Sequence, residues 1–400
     1  MERASVSATT PGFYAMGPNK SAQHNIILNR RALFPYIPPR YLLQITIMPA
    51  LILIVFIDLL GFGIIIPILP FYAEHFGASP AIVTLLMASY SLMQFIAAPI
   101  IGSMSDRYGR RRVILVSLAG SCDAYVAMAY ASTLIMLFAA RALAGLFAGN
   151  IAAAQAYIAD ITTPENRARG MGLFGAAFGL GFIFGPVIGG YLTEPVAGHI
   201  NFHAAPLTAA GLSVLAAVLT ILILKESRNV SVTSVRLRGW FSPILAAVHR
   251  ADMKHLVFLF LLVMFVFAGL EATIAMWAER QFSWGPREVG RLFAYVGVVA
   301  AVVQGGLIGP ATRRWGEARV VVLGLCGLVI GFAAMPLAQN MTVLLVATAL
   351  LAGGFGLCNP ALNSLISRRA SSGSQGAVLG MAQSCASLAR ILGPAFAGMV

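Results

Sequence analysis

Long apolar segments separated by short polar loops make up most of the chain. Each segment holds about 20 residues, the length that a helix needs to cross the hydrocarbon core of a bilayer. Backbone groups in lipid find no partner outside the chain, so each segment is predicted to be helical. We identify eleven such spans, at residues 47–71, 81–101, 113–131, 134–158, 170–192, 204–224, 254–276, 288–308, 319–337, 341–366 and 376–400. The pattern predicts an all-α, multi-pass membrane protein.

Composition supports this interpretation. Hydrophobic residues make up 59% of the chain and charged residues only 10%, whereas ordinary soluble domains carry about 25% charged residues. The net charge of +13 would suit a nucleic-acid partner, but the positive residues lie in short loops between spans, so we expect lipid as the partner and no nucleic acid. The chain shows no nucleotide-binding loop, metal-ligand cluster or nucleophile–base set. We therefore expect neither an enzyme nor a bound cofactor or metal.

The placement of basic residues predicts the orientation in the membrane. Of 27 Lys and Arg residues, 17 lie in loops that follow even-numbered spans and three in loops that follow odd-numbered spans. Basic loops remain on the cytoplasmic side of a membrane. We therefore expect the even loops and the N-terminus to be cytoplasmic, in a plasma membrane (the inner membrane if the source is bacterial).

Motifs in the first half of the chain reappear in the second half. Gly102-x₃-Asp106-Arg107-Tyr108-Gly109-x₂-Arg112 returns 207 residues later as Gly309-x₃-Arg313-Arg314-Trp315-Gly316-x₂-Arg319, and Gly185-Pro186 returns 208 residues later as Gly393-Pro394. The near-constant offset indicates a duplication. Parallel repeats with a substrate site between them at mid-depth are typical of secondary transporters.

The repeat suggests a division into domains. We expect an N-terminal bundle of six helices at 46–224, a cytoplasmic linker at 225–253 and a C-terminal bundle at 254–400. Eleven is an odd number for paired halves, so we expect a twelfth span to be missing after Val400; a true eleven-span protein is the alternative. Residues 1–45 are predicted to be a disordered tail, or to reflect a start codon assigned too far upstream.

Three ionisable residues lie deep within spans: Asp58 in the first, Asp123 in the third and Arg141 in the fourth. A charge at that depth costs at least ~2.5 kcal/mol, so it is expected to face a cavity or a partner. Arg141 stays charged, and we expect it to pair with Asp58 or with a bound anion. We predict that these three residues couple transport to protons. A purely structural pair with a neighbouring helix is the alternative for each.

Four further polar residues within spans are possible substrate contacts: Gln94, Asn150, Gln304 and Glu271. Glu271 is predicted near the outer end of the seventh span, where a merely interfacial position is the alternative. Phe and Trp residues are expected to face lipid or to pack, so we assign no aromatic site.

The fifth span contains the pattern Gly181-x₃-Gly185-Pro186-x₂-Gly189-Gly190. Small residues at this spacing let another helix approach closely. Close packing is therefore expected whatever further role the pattern has.

These motifs together resemble those of the tetracycline-resistance branch of drug:proton antiporters within the major facilitator superfamily. The resemblance is carried by Asp58-Leu59-Leu60-Gly61-Phe62-Gly63-x₃-Pro67-Ile68-Leu69-Pro70, Gln94, Asp123, Arg141, Tyr157-Ile158-Ala159-Asp160 and the motifs given above. It implies two parallel six-helix bundles, active as a monomer, that move a small molecule and protons by alternating access. It also implies that the glycine pattern marks an antiporter.

The resemblance assigns a role to the basic loop after the second span. Such a loop latches the two halves on the cytoplasmic side, and here its residues are Gly102, Asp106, Arg107, Gly109, Arg110 and Arg111. Asp160, at the end of the fourth span, is expected to pair with Arg110.

Two positions depart from the family pattern. Tetracycline exporters of the family that this chain resembles carry an aspartate in the ninth span, where this chain has Leu328. They also carry a histidine in the eighth span, where this chain has Ala300. The family uses those groups to handle metal–tetracycline. We therefore predict a secondary transporter that exports small amphipathic compounds, driven by the proton gradient, with tetracycline a poor substrate. The alternatives are a uniporter or importer of an organic solute and, in another class, a receptor or scaffold that transports nothing.

Overall fold

The computed structural model describes residues 39–193, 201–227, 253–368 and 375–399, and their regular elements are all helical. The first span consists of the helices Pro39–Ile65 and Leu69–His75, and the second and third are Pro80–Tyr108 and Arg110–Ala129. The fourth consists of Leu134–Phe147 and Asn150–Ile161, and the fifth, sixth and seventh are Pro164–Leu192, Ala204–Ile223 and Lys254–Phe282. The eighth contains Pro286–Val302 and Ile308–Trp315, and the last three helices are Glu317–Ala334, Met341–Arg368 and Gln375–Ala397. Among the described residues, ten helical segments are long and apolar enough to cross a membrane. They confirm the first ten predicted spans, and the helix Gln375–Ala397 occupies the eleventh.

Several helices run beyond the predicted spans. The first begins at Pro39, so the end of the predicted 1–45 tail is helical, while residues 1–38 lie outside the described part. The seventh continues to Phe282 and ends where Ser283 adopts a left-handed conformation, with φ 55°. Hydropathy marks where lipid contact ends, and a helix can continue into the interface. The predicted linker lies outside the described residues except for Lys225–Ser227 and Met253.

Three of the described spans are interrupted: the first between Ile65 and Leu69, and the fourth and eighth where they line the centre of the molecule. The fourth breaks at Ala148-Gly149, between its two helices. The eighth contains a π-helical turn at Val303–Leu307, which includes Gln304 and two glycines. Turns of this kind are frequent at functional sites.

The backbone conformation is repeated in the two halves, as the sequence motif is. Gly109 joins the second and third spans with φ 99°, and its counterpart Gly316 joins the eighth and ninth with φ 78°. Only glycine adopts such angles at little cost. The duplicated motif therefore forms the same turn twice. The domain boundaries proposed from the sequence stay a prediction.

The glycine pattern packs the fifth span against two other spans. A Cβ on Gly185 would lie 2.6 Å from Gly63 Cα, and one on Gly181 would lie 2.9 Å from Leu59 Cβ, both in the first span. Gly190 faces the opposite way, and its Cβ would lie 2.6 Å from the Pro286 carbonyl oxygen of the eighth span. The predicted close packing is confirmed, and it fixes the fifth helix between the first and the eighth.

The halves meet at the end of the molecule away from the basic loops. One buried cluster there combines residues of the first, second, third, fourth and sixth spans with Ala275, Met276, Ala278 and Val289 of the seventh and eighth. Arg280 also lies 3.9 Å from Glu74, joining the seventh span to the first.

The fifth and eighth spans separate toward the basic loops. At their contact, a Cβ on Gly297 would lie 3.6 Å from Ile183 Cβ. Nearer the basic loops, a Cβ at Gly172 or Gly175 of the fifth span, or at Gly306 of the eighth, would meet no atom within 4 Å. The space between the halves therefore opens on the side of the basic loops.

Candidate functional site

A cavity of about 410 Å³ lies between the helices of the two halves. It is lined by the first, second, fourth, fifth, seventh, eighth, tenth and eleventh spans. Its charged lining residues are Arg141, Glu271 and Arg390. The volume falls within the range of small-molecule sites, which are mostly apolar with a few polar groups that fix the ligand.

Arg141 is buried, with 2% of its surface exposed, yet it lines this main cavity. Its guanidinium lies over the Tyr90 ring at 4.3 Å and the Phe62 ring at 5.5 Å. Such cation–π contacts contribute about 2 kcal/mol where water is excluded. Its Nε and Nη1 atoms have no hydrogen-bond partner among the described residues. The predicted pair with Asp58 is therefore wrong, because aromatic rings surround the guanidinium instead.

Asp58 bonds to the fourth span through an amide. Its Oδ2 atom accepts a hydrogen bond from Asn150 Nδ2 at 2.8 Å. Asn150 follows the break in the fourth span, so the break places this amide beside the carboxylate. Both residues line a small side pocket of about 20 Å³, together with Gln94 and Arg390.

The side pocket adjoins the main cavity. Phe62, Tyr90, Phe178 and Arg390 line both. The structure thus places Asp58, Gln94 and Asn150 beside the main cavity and not in its wall, whereas the predicted contact residues Gln304 and Glu271 do line it. Their contacts with substrate stay predictions.

Glu271 lies deeper than the sequence indicated. It precedes Phe282, the last residue of its helix, by eleven residues, which corresponds to about 16 Å at 1.5 Å per residue. Its side chain lines the main cavity, so the alternative of a merely interfacial position was wrong. Arg141 and Arg390 line the same cavity as Glu271. Among the described residues no ion pair or hydrogen bond joins these three side chains.

Asp123 lies apart from the other predicted coupling residues. It is exposed on the third helix, lines neither pocket and makes no ion pair with a described residue. The same helix turns Ser121 and Tyr125 toward the side pocket. The structure therefore does not bring Asp123 together with Asp58 and Arg141, because depth along a helix does not reveal which face a side chain occupies.

Aromatic residues of both halves line the main cavity, which the sequence analysis missed. Phe178 and Phe182 of the fifth span stack with centroids 5.0 Å apart, and Phe267 and Phe355 of the seventh and tenth stack at 3.8 Å. A signal existed in the fifth span, since Gly175, Phe178, Gly179 and Phe182 recur at helical spacing on one face. Only the structure shows that this face borders a cavity and not lipid.

The predicted gate loop is mostly helical. The second helix continues through Gly102 and Arg107 to Tyr108, leaving Gly109 as the turn. Arg110 is buried and lies 2.6 Å from Asp106 and 3.0 Å from Asp160. The predicted Arg110–Asp160 pair is confirmed.

The end of the sixth span is attached to the same turn. The Glu226 Oε1 atom accepts hydrogen bonds from the backbone N–H of Arg110 at 2.7 Å and of Arg111 at 3.4 Å. Arg111 Nη2 donates to the Ile221 carbonyl oxygen at 2.6 Å. Arg107 is exposed and lies over the Tyr108 ring at 5.3 Å. These contacts lie within the first half, so a latch between the halves stays a prediction.

Comparisons with known proteins agree over most of the chain. The family model described as Major Facilitator Superfamily matches residues 51–394. The chain is 36% identical over 345 residues to the class C tetracycline resistance protein of Escherichia coli, covering 84% of this chain and 85% of that protein. It is 29% identical to multidrug resistance protein 2 of Bacillus subtilis, covering 89% of each. The crystal structure of the human organic anion transporter MFSD10 (TETRAN) superposes with a TM-score of 0.68 at 26% identity, covering 90% of this chain and 94% of that one.

Proposed function

The chain belongs to the Major Facilitator Superfamily and is a multi-pass membrane transporter of small molecules, and we propose that it is a proton-coupled antiporter that exports small amphipathic compounds. Relatives named for resistance to tetracycline and to multiple drugs favour export of drug-like compounds. The mostly apolar cavity with three charged side chains suits amphipathic molecules.

The position of Arg390 is the observation that carries the coupling. Arg390 lines both the main cavity and the side pocket that holds Asp58. A proton on Asp58 removes a negative charge near this arginine, and a substrate in the main cavity meets the same arginine. In a site shielded from water such charges influence one another strongly. Proton and substrate occupancy are thereby linked, as antiport requires.

The open side of the cavity lets substrate load from the cytoplasm, as export requires. The cavity opens toward the basic loops, which we propose are cytoplasmic together with the N-terminus. Substrate then enters from the cytoplasm and leaves after the closed end opens. We further propose that the protein works as a monomer in the plasma membrane, with the proton gradient and no bound cofactor as its energy source.

Substitution of Asp58 tests the coupling. The wild-type protein, reconstituted in liposomes, should accumulate an amphipathic substrate against its gradient when a pH gradient is imposed. Asp58→Asn keeps the size of the side chain but has no group that can bind and release a proton near neutral pH. It should reduce accumulation to the level of protein-free liposomes while substrate-for-substrate exchange continues.

The matched control is Asp123→Asn, which neutralises an exposed carboxylate that lines neither pocket. It should leave accumulation unchanged. Accumulation by the Asp58→Asn variant would place the proton site elsewhere. A wild-type protein that only moves substrate downhill, whatever the pH gradient, would favour the uniporter alternative.

A further inference from the structure

We infer that the main cavity binds amphipathic zwitterions, that is, compounds with a flat apolar body, one carboxylate and one ammonium group. The inference rests on the proposed transport function and names the substrate class for the same cavity. Three features of the wall carry it: the unsatisfied Arg141, the separated Glu271 and Arg390, and the aromatic pairs.

Arg141 requires an oxygen acceptor that the described residues do not supply. Two of its three guanidinium nitrogens have no hydrogen-bond partner there. The Tyr90 and Phe62 rings stabilise its charge through their faces, but a face offers no oxygen lone pair to an N–H group. A carboxylate matches the guanidinium fork with two parallel hydrogen bonds. A ligand carboxylate is therefore the group that completes this side of the cavity.

Glu271 provides a negative charge in the wall of the same cavity. It lines the same cavity as Arg390 and Arg141, and no ion pair joins it to either among the described residues. A carboxylate that faces a cavity without a direct partner attracts a ligand cation, because charges shielded from water are costly unless paired. With two cations and one anion on the wall, a ligand that carries one group of each sign pairs Arg141 and Glu271 together.

The aromatic residues define the body of the ligand. Phe178 and Phe182 approach the cavity from one half of the molecule, and Phe267 and Phe355 from the other. Aromatic rings favour offset or edge contacts with flat partners. A bicyclic aromatic body placed between the two pairs satisfies both halves at once.

Binding to the purified full chain in lipid nanodiscs tests this class without a proton gradient. Three naphthalene probes share one body: 2-naphthylalanine carries both charges, 3-(2-naphthyl)propionate only the carboxylate and 2-(2-naphthyl)ethylamine only the ammonium group. We expect 2-naphthylalanine to bind about tenfold more tightly than either single-charge probe, the ratio that one additional ion pair of about 1.4 kcal/mol gives.

Two variants assign the charges. Arg141→Gln should weaken naphthylalanine and naphthylpropionate but not the amine, and unchanged amine binding shows that the variant folds. Glu271→Gln should weaken naphthylalanine and the amine but not the acid. Arg169→Gln removes an exposed arginine of the fifth span and should change none of the three.

Equal binding of all three probes, or tightest binding of the amine, would overturn the inference. So would an acid that binds as tightly as the zwitterion, because Glu271 would then have no role. Since no gradient is applied, failure here leaves proton coupling intact, and failure of the Asp58→Asn test leaves the ligand class intact.

Discussion

Leu328, one of the two departures from the family pattern, does not line the main cavity. It is buried in the ninth span, and a Cβ on Gly354 of the tenth span would lie 3.1 Å from its Cγ atom. It therefore packs between helices, whereas Ala300, the other departure from the family pattern, lines the main cavity. Magnesium prefers oxygen ligands, and neither side chain supplies one.

We therefore expect little tetracycline resistance from this protein. Expression in a drug-sensitive host should raise the tolerated tetracycline concentration by no more than about twofold, because Leu328 and Ala300 supply no oxygen ligand for the metal–drug complex. The class C protein expressed in the same host serves as the positive control. A large, magnesium-dependent gain would contradict the prediction and would assign the missing role to another carboxylate, with Glu271 the first to examine.

The spans that carry these residues could be predicted from the sequence, but the orientation of the side chains could not. Asp58 and Arg141 were identified within the first and fourth spans because an ionisable residue in an apolar run is conspicuous. Their separation could not be predicted, since it depends on the break before Asn150 and on the rings around Arg141. Only the structure shows that Arg390 borders both pockets.

At the scale of helices, the fifth span depends on the absence of side chains at particular glycines. A Cβ on Gly185 would lie 2.6 Å from the backbone of Gly63, and backbone cannot move aside cheaply. Gly185→Ala should lower stability by about 1–3 kcal/mol, the usual cost of overpacking. Thermal unfolding of the protein in detergent measures the change.

Gly179 is the matched control on the same helix. A Cβ there would meet no atom within 4 Å, so Gly179→Ala should be neutral or should stabilise by up to about 1 kcal/mol through helix propensity. Equal effects of the two substitutions would show that the contact with the first span does not determine the stability of this helix.

The number and type of the described helices follow from hydropathy, but their interruptions do not. Apolar length predicted each described span, including the helix Gln375–Ala397. Neither the break at Ala148-Gly149 nor the π-helical turn at Val303–Leu307 interrupts the apolar run. Both depend on packing around the cavity, which a one-dimensional pattern does not contain.

At the scale of the whole molecule, transport requires the closed end to open. The contact between the fifth and eighth spans belongs to that end, and a Cβ on Gly297 would lie 3.6 Å from Ile183 Cβ. Disulfides form at Cβ separations of about 3.5–4.5 Å. Ile183→Cys with Gly297→Cys should therefore cross-link under mild oxidation, in a background where Cys122, Cys326, Cys358 and Cys385 are replaced by alanine.

The cross-link should hold the cavity open toward the basic loops and stop transport, because the opposite end can no longer separate. A reductant should restore transport in the same sample. Gly172→Cys with Gly306→Cys is the control. A Cβ at either glycine would meet no atom within 4 Å, and this pair of cysteines should therefore remain reduced in the same state. If the Ile183→Cys, Gly297→Cys protein cross-links fully and still transports at the wild-type rate, the fifth and eighth spans do not form the gate, and the closed end must open by another movement.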